Sequence, residues 1–198
     1  MARTRAVDYE DKRRHIQNTA ASVFAELGFD RASMAEIARR GSISKALLYH
    51  YYESKDALIF DIVRTHLEDL EDAVERADRI DLTGEERLRL LIRAVIDNYE
   101  DADDKHKVQI AATNMLPVDQ DEVVRTIERR IVRRFSAAIR QIAPDIDRER
   151  PVLTPVTMSI FGILNWIYMW FRPDGSLTRA QYAEVVTTMV LDGVRAVR

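Results

Sequence analysis

The chain contains 198 residues, of which 46% are hydrophobic and 32% are charged. This balance supplies enough apolar side chains for a folded core and excludes a disordered tail. Because there are only six glycines and five prolines, the frequent turns of a strand-rich fold are lacking, and we expect few, long helices. The absence of cysteine excludes disulfides, thiolate metal sites and a cysteine nucleophile, and it fits a reducing cytoplasm.

The formal net charge of −3 is unevenly distributed along the chain. Residues 1–60 carry a net charge of +2, whereas residues 61–198 carry −5. This distribution allows a polyanionic partner at the N-terminal part only. The polar N-terminus indicates no signal peptide. The most apolar stretch, residues 156–171, is too short and too polar at Asn165 for a membrane span.

The N-terminal part predicts four helices with recognisable ends. Apolar residues recur at helical spacing until Gly28, a typical C-terminal stop. Serines that can cap the next three helices occur at Ser33, Ser44 and Ser54. Ser33 is followed three residues later by Glu36, which is the pattern of a capping box.

The remainder of the chain also predicts helices and no strand. The pairs Thr83 with Glu86 and Thr178 with Gln181 have the capping-box pattern. The dipeptide Thr154–Pro155 suits an N-cap followed by proline at the first helical position. Together these patterns predict an all-α fold of about nine helices.

Residues 33–52 predict a short helix, a tight turn and a second short helix, which is the arrangement of a helix-turn-helix. On a helical projection, one face of the second helix carries Leu47, Leu48 and Tyr51. The opposite face carries Lys45, Ala46, Tyr49 and His50. The apolar face would pack on the preceding helix. The other face combines a cation, two aromatic hydrogen-bonding groups and a small residue, which suits contact with DNA phosphates and base edges.

Helix starts supply further candidate contacts to DNA phosphates. Lys55 lies in the first turn after Ser54, where its positive charge opposes the helix dipole. A phosphate bound there by the free N–H groups and the ammonium group would resolve this conflict. Ser33 and Ser44 also precede helices and offer similar positions. Ordinary solvated or capping side chains are the alternative for each residue.

The stretch from Ala21 to Ile59 resembles the DNA-binding domain of TetR-family transcriptional regulators. The resemblance is carried above all by the segments Ser33–Ala38, Ser44–Tyr52 and Ser54–Leu58. One departure lies in the turn, where the family usually has Ala-Gly-Val and this chain has Gly41-Ser42-Ile43. Serine adopts a left-handed turn less readily than glycine does.

The resemblance implies a helix-turn-helix DNA-binding domain over residues 1–55 and a ligand-binding and dimerisation domain over residues 56–198. It also implies a homodimer, formed through the last two helices, that binds double-stranded operator DNA and responds to a small-molecule effector. The predicted helix over residues 156–171 agrees, because it is apolar nearly all round. A single chain could hardly cover it, whereas a partner subunit and a ligand pocket could.

Residues 161–175 resemble the subset of the family that responds to acyl-CoA thioesters from the breakdown of aromatic acids, fatty acids or steroid fragments. Such a ligand needs aromatic walls and a few polar or cationic groups. The candidate walls are Met158, Phe161, Trp166 and Trp170, and the candidate polar contacts are Gln109, Asn114, Asn165 and Arg172. Core packing, or for Asn165 an internal hydrogen bond, is the structural alternative.

Three functions are compatible with these patterns. The first is a DNA-binding regulator in the cytoplasm, a repressor by the family's usual behaviour. The second is an all-helical acyl-CoA-binding enzyme or carrier, and the third is a helix-bundle interaction module without a DNA role. No nucleophile–base arrangement, glycine-rich phosphate loop or metal-ligand spacing occurs in the sequence. We therefore expect a regulator rather than an enzyme, without a cofactor or a metal site.

Overall fold

The computed structural model describes residues 2–197, with side chains from residue 8 onward. The described residues form helices and no strand, which confirms the predicted all-α fold. The helical segments are α1 (Ala2–Arg31), α2 (Met34–Arg40), α3 (Lys45–Tyr51), α4 (Lys55–Ala77), α5 (Gly84–Asn98), α6 (Asp103–Ala112), α7 (Val118–Ile142), α8 (Leu153–Asn165), α9 (Ile167–Trp170) and α10 (Arg179–Ala196). Only Trp166 separates α8 from α9, so the nine predicted helices correspond to these segments. None of the described helices is long and apolar enough to cross a membrane.

The contacts divide the chain into two compact units, which we describe separately. The first unit contains α1 to α3, α4 as far as His66, and residues 101–124 with α6. The second unit contains residues 67–100 and the chain from residue 125 onward. The helix α4 therefore contributes residues to both units. The predicted domain boundary after residue 55 remains a prediction.

The first unit is built around α1, whose apolar face is buried as its periodicity predicts. The buried side chains include Ile16, Ala20, Val23 and Phe24 of α1, Ile37 and Ala38 of α2, Leu48 of α3, and Leu58 and Ile62 of α4. The backbone leaves helical geometry at Gly28, where φ is +74°, and one more turn follows to Arg31. Glycine adopts this positive φ without steric cost. The predicted stop at Gly28 is therefore a break followed by a final turn.

The second unit has its core between α5, α7, α8 and α10. Side chains buried there include Leu88, Leu91, Ile92, Val95 and Ile96 of α5, Phe135 and Ile139 of α7, Leu164 of α8, and Val186 and Val190 of α10. The capping boxes predicted at Thr83 and Thr178 are both present. Each one satisfies two groups at a helix start that would otherwise lack hydrogen-bond partners.

Two predicted helix starts differ from the structure. Ser33 accepts a 3.1 Å hydrogen bond from the Glu36 amide, but the carboxylate of Glu36 binds Arg39 and Arg40, so the reciprocal half of the predicted capping box is absent. Helix α8 begins at Leu153, so Thr154 is not its N-cap. The carboxylate of Asp147 accepts a 2.9 Å hydrogen bond from the Leu153 amide and thereby satisfies the first turn from outside the helix.

Candidate nucleic-acid interface

The predicted helix-turn-helix is formed by α2, the turn at residues 41–44 and α3. Ser44 caps α3, because its hydroxyl accepts a 3.0 Å hydrogen bond from the Leu47 amide. Ser42 adopts a left-handed conformation with φ of +52°. The amide of Ile43 then donates a 3.0 Å hydrogen bond to the carbonyl of Ala38 and closes the turn. The departure from the family's usual turn sequence is therefore accommodated by a strained serine.

Helix α3 exposes the face that its projection predicts. Lys45, Ala46, Tyr49 and His50 are all exposed. Tyr49 has 53% of its surface exposed, whereas Leu48 on the opposite face is fully buried. The protein therefore presents one cation, two aromatic hydrogen-bonding groups and a small residue together to solvent. Their contact with DNA remains a prediction.

The serines and the lysine predicted to bind phosphates already have partners within the protein. Ser33 and Ser44 are exposed, and their hydroxyls accept hydrogen bonds from the helices they cap. The half-buried Lys55 donates from Nζ to the carbonyl of Phe29 at 2.6 Å and to that of Ala32 at 3.4 Å. Lys55 therefore satisfies carbonyls at the end of α1, a role that the sequence patterns did not indicate.

The charges on the exposed side of α2 largely neutralise one another. Glu36 binds Arg39 at 2.7 Å and Arg40 at 2.8 Å, and Arg40 also binds Glu26. Hydrogen bonds from Arg39 and then Arg40 lower the pKa of the Glu36 carboxyl to about 2. This carboxylate is therefore ionised at neutral pH and holds both guanidinium groups on α2.

The C-terminal end of α3 is held by two aromatic side chains. The ring of Tyr51 stacks on that of Tyr9 in α1, with 4.7 Å between the ring centroids. Tyr52, directly after α3, donates a 2.6 Å hydrogen bond from its hydroxyl to the carboxylate of Asp61 in α4. Helix α3 is thus attached to α1 through its last residue and to α4 through the residue that follows it.

The Asp61 carboxylate also accepts hydrogen bonds from Arg13, Gln17 and Arg64. Burial by itself raises its pKa, but the hydrogen bonds from Arg13, Tyr52 and Arg64 outweigh that effect and hold the pKa at about 2. The sequence patterns did not indicate this network. The sequence did carry one indication of it, because Asp61 lies among the apolar residues of α4 that are buried, and a buried carboxylate requires partners.

The predicted effector-binding residues are distributed over both units. Gln109 and Asn114 belong to the first unit, where Gln109 is half-buried and Asn114 lies in the exposed turn after α6 with φ of +67°. In the second unit, Phe161 is buried against Phe135, with ring centroids 4.8 Å apart. Asn165 accepts a 2.9 Å hydrogen bond from the hydroxyl of Tyr99.

The other predicted effector contacts of the second unit face outward. Met158, Trp166 and Trp170 have between 47% and 58% of their surface exposed. Arg172 is exposed as well, and it donates a 3.2 Å hydrogen bond to the carbonyl of Phe171. As expected, a single chain does not cover the apolar α8–α9 segment. Whether these four side chains contact an effector remains a prediction.

Two family models together match most of the chain. Residues 16–62 match the model for bacterial regulatory proteins of the tetR family, and residues 81–194 match the model for tetracyclin repressor-like C-terminal domains. A TetR-family transcriptional regulator from Bordetella parapertussis 12822 has 30% identity, with a TM-score of 0.86 over 93% of this chain and 96% of that one. The chain belongs to the TetR family.

Other TetR-family proteins are similar over most of their length. The crystal structure of AibR in complex with isovaleryl coenzyme A and operator DNA has 29% identity and a TM-score of 0.75, over 89% of this chain and 96% of AibR. The HTH-type transcriptional repressor KstR2 of Rhodococcus jostii is 24% identical over 92% of this chain and 91% of its own. Several further curated relatives, a transcriptional activator among them, are matched over only 40% to 46% of their length.

Membership in the TetR family confirms the predicted family and the role of transcriptional regulator with an N-terminal helix-turn-helix. The model for the N-terminal domain covers α2, the turn and α3, so it includes the exposed face of α3. The model for the C-terminal domain covers α5 to α10 up to residue 194. The DNA-contacting and effector-contacting residues themselves remain predictions.

Proposed function

We propose that the protein is a repressor that binds double-stranded operator DNA and leaves it when a small-molecule effector binds. The observation that carries this proposal is the exposed face of α3, where Lys45, Tyr49 and His50 are presented together. These groups can donate to phosphates and base edges in the major groove. Ala46 permits close approach of the helix, and Ser33, Ser44 and Lys55 supply phosphate contacts at helix starts.

We propose that two chains form a homodimer through α8 to α10. Apart from the side chains proposed to contact the effector, this segment carries Met169, Val185 and Met189, which are apolar and each at least 44% exposed. Large exposed apolar side chains concentrated on one segment are typical of a subunit interface. Two recognition helices related by a two-fold axis read two half-sites of a pseudo-palindromic operator.

An acyl-CoA thioester is the effector class that we propose. AibR, at 29% identity, was crystallised with isovaleryl coenzyme A. The residues proposed to contact the effector are Gln109 and Asn114 in the first unit and Met158, Phe161, Asn165, Trp166, Trp170 and Arg172 in the second. Aromatic walls suit the acyl group, whereas amides and a guanidinium group suit the polar carrier.

The direction of regulation is also part of the proposal. The match to the repressor KstR2, over 92% of this chain and 91% of that one, supports repression, although a transcriptional activator is among the partially matched relatives. An effector releases DNA only if it binds one conformation of the dimer more tightly than the other. Because α4 contributes to both units, it is the element through which we expect this difference to act. A regulator of operator DNA acts in the cytoplasm and needs no catalytic step.

The test begins with a fluorescence anisotropy titration of the full chain against an operator selected from genomic DNA, with random DNA as competitor. We expect tight, saturable binding that Tyr49→Ala weakens by about tenfold or more, because a base-edge contact is lost. Ile80→Ala, at an exposed apolar side chain of the second unit, is the matched control and leaves binding unchanged. Selective binding that Tyr49→Ala does not weaken would exclude α3 as the reading helix.

The same labelled operator then serves to test the effector. Isovaleryl coenzyme A and longer acyl-CoA thioesters are added, with free coenzyme A as the control for the carrier alone. Release by an acyl-CoA but not by coenzyme A supports the proposed effector class. An assay for free thiol in the same mixture detects turnover of the thioester. Turnover without selective DNA binding would instead favour the acyl-CoA-binding enzyme.

A further inference from the structure

The residue that follows α3 is anchored through both its backbone and its side chain. Tyr52 follows α3 directly, and its amide donates a 3.0 Å hydrogen bond to the carbonyl of Leu48. Its ring is buried, with only 6% of the residue exposed. Its hydroxyl donates a 2.6 Å hydrogen bond to Oδ2 of Asp61. Rotation or displacement of α3 therefore requires this short buried bond to stretch or break.

The acceptor of that bond is itself held from two helices. Arg13 of α1 forms a bidentate pair with Asp61, with distances of 3.0 Å and 2.6 Å. Gln17 of α1 adds a 2.9 Å hydrogen bond, and Arg64 of α4 adds one of 2.8 Å. Bidentate guanidinium–carboxylate pairs have a defined geometry, so the carboxylate has little freedom to move. Asp61 is therefore a fixed reference point that joins α1 and α4 to the end of α3.

The position of this anchor matters for the exposed face of α3. Tyr49 and His50 lie in the last turn of α3, within three residues of Tyr52 in sequence. Reading of base edges requires donors and acceptors to be placed within a fraction of an ångström, whereas phosphate contacts tolerate larger displacements. A small rotation of α3 would thus weaken base contacts more than it weakens phosphate contacts.

We propose that Asp61 is a positioning residue for operator recognition, which acts through the hydroxyl of Tyr52 to fix the orientation in which α3 presents Tyr49 and His50. This inference rests on the proposed function. Asp61 does not itself contact DNA in this proposal. Its effect is on selectivity, which is the ratio of operator affinity to random-DNA affinity. An ordinary core contact would affect the stability of the fold and leave this ratio unchanged.

The most informative substitution is Tyr52→Phe, because it removes one hydroxyl and retains the buried ring. Asp61 keeps its hydrogen bonds from Arg13, Gln17 and Arg64, so no unpaired charge is left in the interior. We expect the selectivity ratio at fixed salt to fall by about tenfold, and the affinity for random DNA to stay within about twofold. Tyr182→Phe, which alters a buried tyrosine of the second unit, should leave the ratio unchanged.

A second substitution separates positioning from stability. Gln17→Leu removes one donor to Asp61 from α1 but leaves the Tyr52–Asp61 bond in place. We expect it to lower the melting temperature with a much smaller loss of selectivity than Tyr52→Phe causes. If each variant instead lost selectivity in proportion to the decrease in its melting temperature, the network would be purely structural and the proposal would be wrong.

The wild-type titration distinguishes failure of this inference from failure of the proposed function. If the wild type prefers its operator and Tyr52→Phe has the same selectivity ratio, Asp61 does not position α3 and only this inference is overturned. If the wild type binds the selected operator no better than random DNA, the proposed function fails and the inference fails with it. A selectivity loss confined to Tyr52→Phe, among folded variants, supports the role of Asp61.

Discussion

Tyr99 at the end of α5 donates a 2.9 Å hydrogen bond from its hydroxyl to Oδ1 of Asn165 at the end of α8. Tyr99 is almost fully buried, and burial raises its pKa well above the usual range, so the hydroxyl keeps its proton. This bond gives the half-buried amide of Asn165 a partner inside the second unit, as polar groups removed from water require.

We expect Tyr99→Phe to lower the free energy of unfolding by about 1 kcal/mol, because it removes the donor to Asn165 without changing the shape of the core. Urea denaturation followed by circular dichroism measures this change. If Asn165 also contacts the effector, Asn165→Leu should weaken effector-induced release more than Tyr99→Phe does. Equal effects of the two variants on release would indicate that Asn165 has the internal role only.

We expect Lys55 both to stabilise the fold and to contact a DNA phosphate. Its Nζ donates to carbonyls of Phe29 and Ala32, and an ammonium group has a further hydrogen available for a phosphate. We expect Lys55→Met to lower the free energy of unfolding by about 1 kcal/mol and to reduce the slope of log affinity against log salt by about one.

Lys45→Met is the matched control for Lys55→Met, because Lys45 is exposed on α3. It should reduce the salt slope with little effect on urea denaturation. An unchanged salt slope for Lys55→Met, beside a reduced slope for Lys45→Met, would leave Lys55 with its structural role alone.

Gly28 in α1 and Ser42 in the turn between α2 and α3 both have positive φ, and substitutions at the two positions should change stability in opposite directions. Gly28 has φ of +74° and ψ of 166°, and an added Cβ would meet no atom within 4 Å. Gly28→Ala should therefore destabilise the fold by roughly 1–3 kcal/mol through backbone strain alone.

Ser42 is a serine in the left-handed region, with φ of +52°. Ser42→Gly relieves its strain, which is partly offset by the greater freedom of glycine in the unfolded chain, and we expect a gain of about 0.5 kcal/mol. Thermal unfolding of both variants checks the signs. A loss of stability in Ser42→Gly would mean that the serine side chain contributes more than its strain costs.

The stability of the fold should decrease in mild acid because of His66. His66 and His106 are buried with ring centroids 5.8 Å apart. Burial, with smaller contributions from His106 and Lys105, lowers the pKa of His66 to about 3. The unfolded chain, with a histidine pKa of about 6.5, therefore takes up a proton that the folded chain excludes. The contribution to stability is fully present above about pH 6.5 and is lost as the pH falls from there towards 3.

Urea midpoints measured between pH 7.5 and pH 5 test this expectation. The slope from one such group is at most about 1.4 kcal/mol per pH unit, and His66→Gln should make the dependence shallower. The stability contributed by the lowered pKa of Asp61 is fully present above about pH 4 and is lost only as the pH falls from there towards the folded value of about 2, so the two groups are separated by pH range. Parallel curves for wild type and His66→Gln would contradict the role of His66.

Features that depend on near neighbours in the chain could be predicted from the amino-acid sequence. Ser44 caps α3 through an amide three residues away, and Thr83 and Glu86 form their capping box over the same distance. The exposed and buried faces of the seven-residue helix α3 follow from the ordinary periodicity of an α-helix. Such features require only local backbone geometry, so motif and periodicity were sufficient to predict the helix-turn-helix.

Hydrogen-bond partners that lie far apart in the chain became apparent only from the packing of the helices. Asp61 meets Arg13 across 48 residues and Tyr52 across 9, and Tyr99 meets Asn165 across 66. The predicted capping box at Ser33 is incomplete for a different reason. The carboxylate of Glu36 accepts hydrogen bonds from Arg39 and Arg40 instead of from the Ser33 amide. Hydrogen bonds between distant residues depend on how helices pack, and a one-dimensional pattern does not specify that packing.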